Sequence, residues 1–271
     1  MEEESRSMSW RPVGASIAAI AVLAAGIGGY YWYQRGSETP PSAPAPAPAP
    51  APAATAPAAG VESEPQYPID ESGADHTTTL EQSDAALLDA IAHVQGWRAS
   101  ALQLLVPKDL VRHIVATVDG LTHEKLALQV LPTRPVPGLF QVAGTSKSAT
   151  IAAANARRYD PYVQALTALD TEQLVAVYRH FYPLFAQAYR DLGYPKGYFN
   201  DRLVEVIDDL LEAPDPKPPI AVAAPRAMFH YSDSDLEALA IGQKILVRVG
   251  PAHESAIKAK LREIRQAVTT R

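Results

Sequence analysis

The chain has 271 residues, no cysteine, 24 prolines and a formal charge of −6, which excludes a disulfide scaffold and any thiolate nucleophile or thiolate metal site. The charge is uneven: residues 61–84 hold seven acidic side chains and no Lys or Arg, whereas residues 241–271 hold seven basic ones against Glu254 and Glu263. The acidic total also argues against nucleic acid as a partner.

Residues 13–33 form an uncharged, largely apolar run, long enough as a helix to cross about 30 Å of hydrocarbon. Trp10 at one end and Tyr30, Tyr31, Trp32 and Tyr33 at the other suit interfacial anchors. The run continues past Ala24, Ala25 and Gly26 into that aromatic girdle, so a retained anchor is expected rather than a cleaved signal peptide. Arg6 and Arg11 outnumber Arg35, which places residues 1–12 in the cytoplasm and the bulk of the chain in the periplasm, tethered to the inner membrane. Small residues at Ala21, Ala25 and Gly29 leave dimerisation through the span open. Residues 40–59 alternate Pro and Ala almost strictly, a polyproline II composition that extends by about 3.1 Å per residue. With the acidic, apolar-poor segment 60–79, they make residues 34–79 an expected disordered spacer.

Helix signals then come in series, and a multi-helix, all-α domain is expected over residues 80–271. Ser83 suits the cap of a helix carrying Leu87, Leu88, Ile91 and Val94, and Pro107 the first turn of one carrying Leu110, Val111, Ile114 and Val118. Residues 131–142, with three prolines and a glycine, predict a loop or a short extended piece. Residues 151–168 read as helix, with Asp160-Pro161 a fresh start or a kink. The densest run follows. Asp170, with Gln173 three residues on, has the spacing of a reciprocal cap, so a helix is predicted from Thr171. Leu174, Val177, Tyr178, Phe181, Phe185, Ala188 and Leu192 fall on one stripe of it. Pro183 predicts a break around residues 181–183, and Gly193 with Pro195 the end. Asn200 suits the cap of the next helix, which bears Leu203, Val204, Ile207, Leu210 and Leu211. Residues 220–231 read as extended, Ser232 or Asp233 as the cap of a helix ending at Gly250-Pro251, and residues after that as a last helix with Ile257, Leu261, Ile264 and Val268 on one side.

Candidate chemistry is sparse. The seven histidines never fall three or four apart, so no helix offers two imidazoles to a metal, and no cofactor or metal site is expected. Nucleotide loops and the Gly-x-Ser-x-Gly elbow do not occur, so no catalytic residue is assigned. Glu205, Asp208, Asp209 and Glu212 line one side of a helix, where like charges one turn apart make either a solvated face or a carboxylate pair for acid–base work. Arg179, Tyr182, Tyr189 and Arg190 flank the central stripe, and Arg157, Arg158 and Tyr159 precede it. Tyr and Arg are the residue types that dominate partner interfaces. The plainer reading has the tyrosines completing the core while the arginines pair with acids such as Glu172 and Asp191. Lys258, Lys260, Arg262 and Arg265 surround the last apolar stripe, either as a solvated face or as a contact for an anionic surface.

The segments RYDPYV, YRHFYPLFAQAYRDLGYP, FNDRLVEVIDDLL, DLEAL, GQKILVRVGP and AKLREIR, in that order, resemble a bacterial family known only as domain of unknown function 3014. The resemblance spans residues 80–271 and departs at Pro161 and Val249. It implies a membrane-anchored protein with a Pro/Ala-rich spacer and carries no catalytic residue. Sequence thus points to a periplasmic binding or scaffolding module whose partners are the lipid bilayer and an envelope protein or anionic envelope polymer. The alternative is an envelope hydrolase acting on cell-wall material through the Glu205–Glu212 carboxylates.

Overall fold

A computed structural model of the protein describes residues 64–145, 148–224 and 229–270. The expected membrane span at 13–33 and the Pro/Ala stretch at 40–59 lie outside the described residues. Among the described residues no helix is long and apolar enough to cross a membrane.

Nine α-helices are described: α1 (Ser83–Ala92), α2 (Leu110–Gly120), α3 (Asp160–Thr167), α4 (Thr171–His180), α5 (Tyr182–Asp191), α6 (Phe199–Leu211), α7 (Ser234–Ala238), α8 (Ile241–Val249) and α9 (Pro251–Thr269). The central run behaves as its prolines dictate. Asp170 accepts from the Gln173 amide at 2.9 Å, and the helix breaks at Phe181 with Pro183 in the first turn of α5. Gln173 does not reciprocate: its side-chain oxygen accepts from the Gln95 amide instead (2.8 Å), tying α4 to the end of the α1 turn. Pro161 likewise sits in the first turn of α3 and starts it afresh.

Tyr178, Phe185, Phe199 and Tyr189 form the centre of the core where α4, α5 and α6 meet. Phe185 and Phe199 stack with centroids 5.8 Å apart, and Tyr178 meets Phe185 edge-on at 5.4 Å. Asn200 was expected to cap α6, yet it lies inside the helix and is fully buried. It accepts from the Tyr178 hydroxyl (3.1 Å) and donates to the carbonyls of Tyr67 (2.8 Å) and Val268 (3.1 Å), joining three segments. Ser83 is also no cap, since its hydroxyl donates to the Leu80 carbonyl. The carboxylate of Asp84 caps α2 from outside by accepting the amides of Asp109 and Leu110, both at 2.8 Å.

Two expectations are corrected. The fold is helix-rich but not all-α: β1 (Val142–Ala143), β2 (Ala149–Ile151), β3 (Ala221–Ala223) and β4 (His230–Tyr231) form an antiparallel sheet in the order β1-β2-β3-β4. Val142 pairs with Ile151, Ala149 with Val222, and Val222 with Tyr231. Strands of two or three residues are too short to show a period of two, which is why residue 151 read as the start of a helix. The sheet lies over its own small core of Ala149, Ile220, Val222, Tyr231 and Val247, where the Arg248 guanidinium sits over the rings of Phe140 (5.0 Å) and Tyr231 (5.4 Å).

The second correction concerns the spacer, which was expected to continue as disordered chain to Thr79. From residue 64 the chain is laid against the helices. Tyr67 and Ile69 pack on the main core, the amides of Gln66 and Tyr67 donate to the two oxygens of Asp201 (2.9 and 2.8 Å), and the Asp75 amide donates to the His180 carbonyl.

Candidate interaction surface

The structure does not bring the predicted surface residues together. Tyr182 and Tyr189 are 6% and 5% exposed, and Tyr159 is buried as deeply. Burial pushes the Tyr182 hydroxyl up to about 12 and raises Tyr189 and Tyr159 as well. These tyrosines complete the core, because α5 packs against three helices, α2, α4 and α6. Leu192, predicted on the core stripe, falls just past the end of α5 and is exposed.

The predicted arginines and lysines mostly serve the fold. Arg179 donates to the carbonyls of Ala267 and Thr270 at the end of α9 (2.8 and 2.9 Å). Arg158 holds the loop carbonyls of Pro137 and Gly138. On α9, Lys258 pairs with buried Glu254 (2.7 Å). Lys260 spends its three donors on the Leu169 carbonyl, the Thr171 hydroxyl and Glu263. Arg265 makes a two-pronged pair with Asp208. Arg157, Arg190 and Arg262 are exposed, but on three different elements. The predicted acidic face is divided too. Asp208 is taken by Arg265 and Glu205 by Arg202 (2.9 Å), while Asp209 turns toward α8, where Gln243 donates to it. One Asp209 oxygen is buried with no hydrogen-bond partner among the described residues, and burial followed by the nearby Glu212 raises its pKa.

What the structure assembles instead is the turn between α5 and α6, residues 192–198, reading Leu-Gly-Tyr-Pro-Lys-Gly-Tyr. Three large side chains are exposed within it: Leu192 (44%), Tyr194 (36%) and Tyr198 (40%). The turn is nonetheless fixed. Gly193 has φ +124°, a conformation that side-chain-bearing residues avoid. At Gly197 a Cβ would come within 2.7 Å of the Tyr189 ring. The Tyr194 ring stacks on Tyr189 with centroids 4.5 Å apart, and its hydroxyl donates to Asp119 (3.2 Å).

Beneath the turn lies a buried charge network. Arg202 donates to the Asp119 carboxylate (3.0 Å), the Asp119 carbonyl (2.7 Å) and the Thr122 hydroxyl (2.7 Å), besides its pair with Glu205. Sequence reasoning passed over Asp119, Tyr194 and Tyr198. The available signal was two glycines and a proline interleaved with tyrosines in seven residues, which also reads simply as a helix stop.

The other polar contacts have local explanations. His253 bridges Asp160 (2.9 Å) and the Val249 carbonyl, and His230 faces Glu237 at 3.0 Å on the flank of the sheet. An open groove between the start of α4 and the end of α9 is lined by Asp170, Glu172, Arg179, Lys260 and Glu263, but both cations there are already committed to the contacts above. Among the described residues no three His, Asp or Glu side chains gather as a metal site.

A search of curated proteins and a search of solved structures each give no match. Residues 110–265 match the model of a family described as protein of unknown function (DUF3014); the match covers more than half of the chain, α2 to α9 with the turn 192–198 inside it, and the chain belongs to that family.

Proposed function

We propose that this protein is a membrane-tethered, non-catalytic binding module of the bacterial envelope, and that the turn 192–198 is its contact surface for a protein partner. One observation carries the reading. Leu192, Tyr194 and Tyr198 are exposed apolar side chains on a turn that a glycine at positive φ, a ring stack and a buried ion pair already hold. Tyrosines presented in this way bury area on binding while losing little conformational freedom, because the turn is ordered beforehand. The basic tail is neutralised largely within the fold, so the surface fits a protein better than an anionic polymer. The tether rests on the uncharged run 13–33 and the Pro/Ala stretch that follows it.

Two measurements test this. A reporter active only outside the cytoplasm, fused after Arg271, should be active, and the protein should stay with membranes after alkaline washing; activity of a cytoplasm-only reporter would overturn the topology. Affinity capture of the full chain from solubilised membranes should recover a discrete partner that the Tyr198→Ser chain loses. Identical recovery by both chains would remove the turn as the surface. The hydrolase reading is supported by the raised pKa of Asp209 beside Glu212. It requires cell-wall hydrolysis that Asp209→Asn abolishes.

A further inference from the structure

We propose that the place where α6 meets α9 is a docking site for a short Tyr-Pro-aliphatic segment, that residues 65–69 of this chain are its resident occupant, and that a protein partner carrying such a segment displaces them. The residues that grip the occupant, Asn200 and Asp201, are not part of the turn 192–198, so neither reading depends on the other.

The occupant is held first by its backbone. The amides of Gln66 and Tyr67 donate to the two oxygens of Asp201 (2.9 and 2.8 Å). The Tyr67 carbonyl accepts from Asn200 (2.8 Å), which also donates to the Val268 carbonyl on α9 (3.1 Å). Two successive amides aimed at one carboxylate, and a carbonyl aimed at one side-chain amide, fix the direction and register of a chain without reading its side chains. The side chains are read second. Exposure alternates along the strap: Pro65, Tyr67 and Ile69 are half-buried, whereas Gln66, Pro68 and Asp70 are exposed, and Tyr67 and Ile69 pack on the main core. Pro65 and Pro68 fix their own φ and restrict the residue before each, so the segment is ordered before it docks and loses little freedom in docking.

The strap is also placed to leave without unfolding the domain. Residues 70–73 are exposed, and just behind them the chain is clamped again: His180 donates from Nδ1 to the Gly73 carbonyl (2.9 Å) and accepts the Asp75 amide at its own carbonyl (2.8 Å). Residues 64–69 therefore swing from a fixed base. An empty site is disfavoured, because Asn200 is fully buried and a buried donor without an acceptor is costly. The site thus exchanges one occupant for another. A replacement must bring a carbonyl to Asn200 and two free amides to Asp201, which excludes proline at the tyrosine position and at the one before it. Being tethered, the strap competes at an effective concentration on the order of millimolar, so the partner's segment prevails only when it binds more tightly or is itself held close.

The test uses the full chain in detergent micelles and a fluorescent peptide with the sequence of residues 64–72, followed by anisotropy. Tyr67→Ser with Ile69→Ser weakens the resident strap, and this chain should bind the peptide at least about tenfold more tightly than the parent, in which the strap competes. Adding Asp201→Ala should remove that gain, as should placing the same two serines in the peptide. No binding by the strap variant, or binding that survives Asp201→Ala, overturns the proposal. Hydrogen exchange in the unaltered chain gives a second reading that no substitution can confound. There the Gln66 and Tyr67 amides should exchange by local opening, at least about a hundredfold faster than amides in the middle of α6. Equal protection would mean that the strap opens only when the whole domain unfolds, and would overturn the proposal even if the variants fail to fold. A dimer of the parent chain that Tyr67→Ser with Ile69→Ser abolishes would assign the site to a second copy and overturn the partner.

Discussion

Tyr182 and Tyr189 on α5, and Tyr194 and Tyr198 in the turn just after it, share a residue type and a short stretch of sequence, but their surroundings are opposite. The first pair is enclosed because α5 packs against α2, α4 and α6, and the second is exposed because the chain has left the helix by Gly193. Composition alone marks neither an interface nor a core. What decides is whether the residue's own element is packed on one side or on two, and an amphipathic count made on one helix does not contain that information.

The comparison is broken most strongly in the core. Phe185→Ala and Tyr182→Ala should each cost about 3–5 kcal/mol through lost burial and the cavity left behind. The sequence had Tyr182 at the edge of the stripe, with a clearly smaller loss. Equal losses in chemical denaturation would support two-sided burial, and a loss at Tyr182 well below that at Phe185 would restore the edge. Next in size is the charge pair beneath the turn. Arg202→Met strands the buried Asp119 carboxylate and should cost about 3 kcal/mol. A loss below about 1 kcal/mol would mean that the pair does not anchor the turn.

A smaller effect has a pH signature. Burial raises the folded pKa of Asp209, so its ionised form is the less stable one in the folded protein. That penalty is present above the folded pKa and disappears as pH falls through it. Asp209→Asn should therefore stabilise by roughly 0.3 kcal/mol at pH 7, a small figure because water screens a half-buried carboxylate, and the gain should shrink toward pH 4. A gain that grows on acidification would reverse the assignment. The smallest expected effect is Tyr198→Ser, within about 0.5 kcal/mol of the parent, as suits an exposed side chain.

Much of this was legible beforehand, for physical reasons that can be named. Asp170, Pro161 and Pro183 act within one turn of themselves, so the caps and breaks they impose could be read locally. Asn200 and Asp84 obey no local rule, since their partners lie far along the chain at Tyr67, Val268, Asp109 and Leu110. The same holds for the helix that was expected to run from a cap at Ser232 or Asp233 to Gly250-Pro251. It divides after Ala238 into α7 and α8 because the amides of Ile241 and Gly242 turn to the carbonyls of His123 and Leu121. β2 was hidden by its brevity and by the distance of about seventy residues to its partner β3, whereas β3 and β4 fall within residues 220–231, which had read as extended. The tyrosine turn was visible as letters, but only the packing of Tyr189 and the pair Asp119–Arg202 reveals that it is rigid.

The central claim is that exposure on a fixed turn, rather than Tyr/Arg content, marks the binding surface. Its most direct test is in-cell photo-crosslinking with the full chain, placing the crosslinking residue at position 198, at 190 or at 262, all three exposed. The account predicts a discrete adduct to an envelope protein from position 198 that Leu192→Ser abolishes, and none from 190 or 262. No adduct from 198, or equal adducts from all three positions, would contradict it.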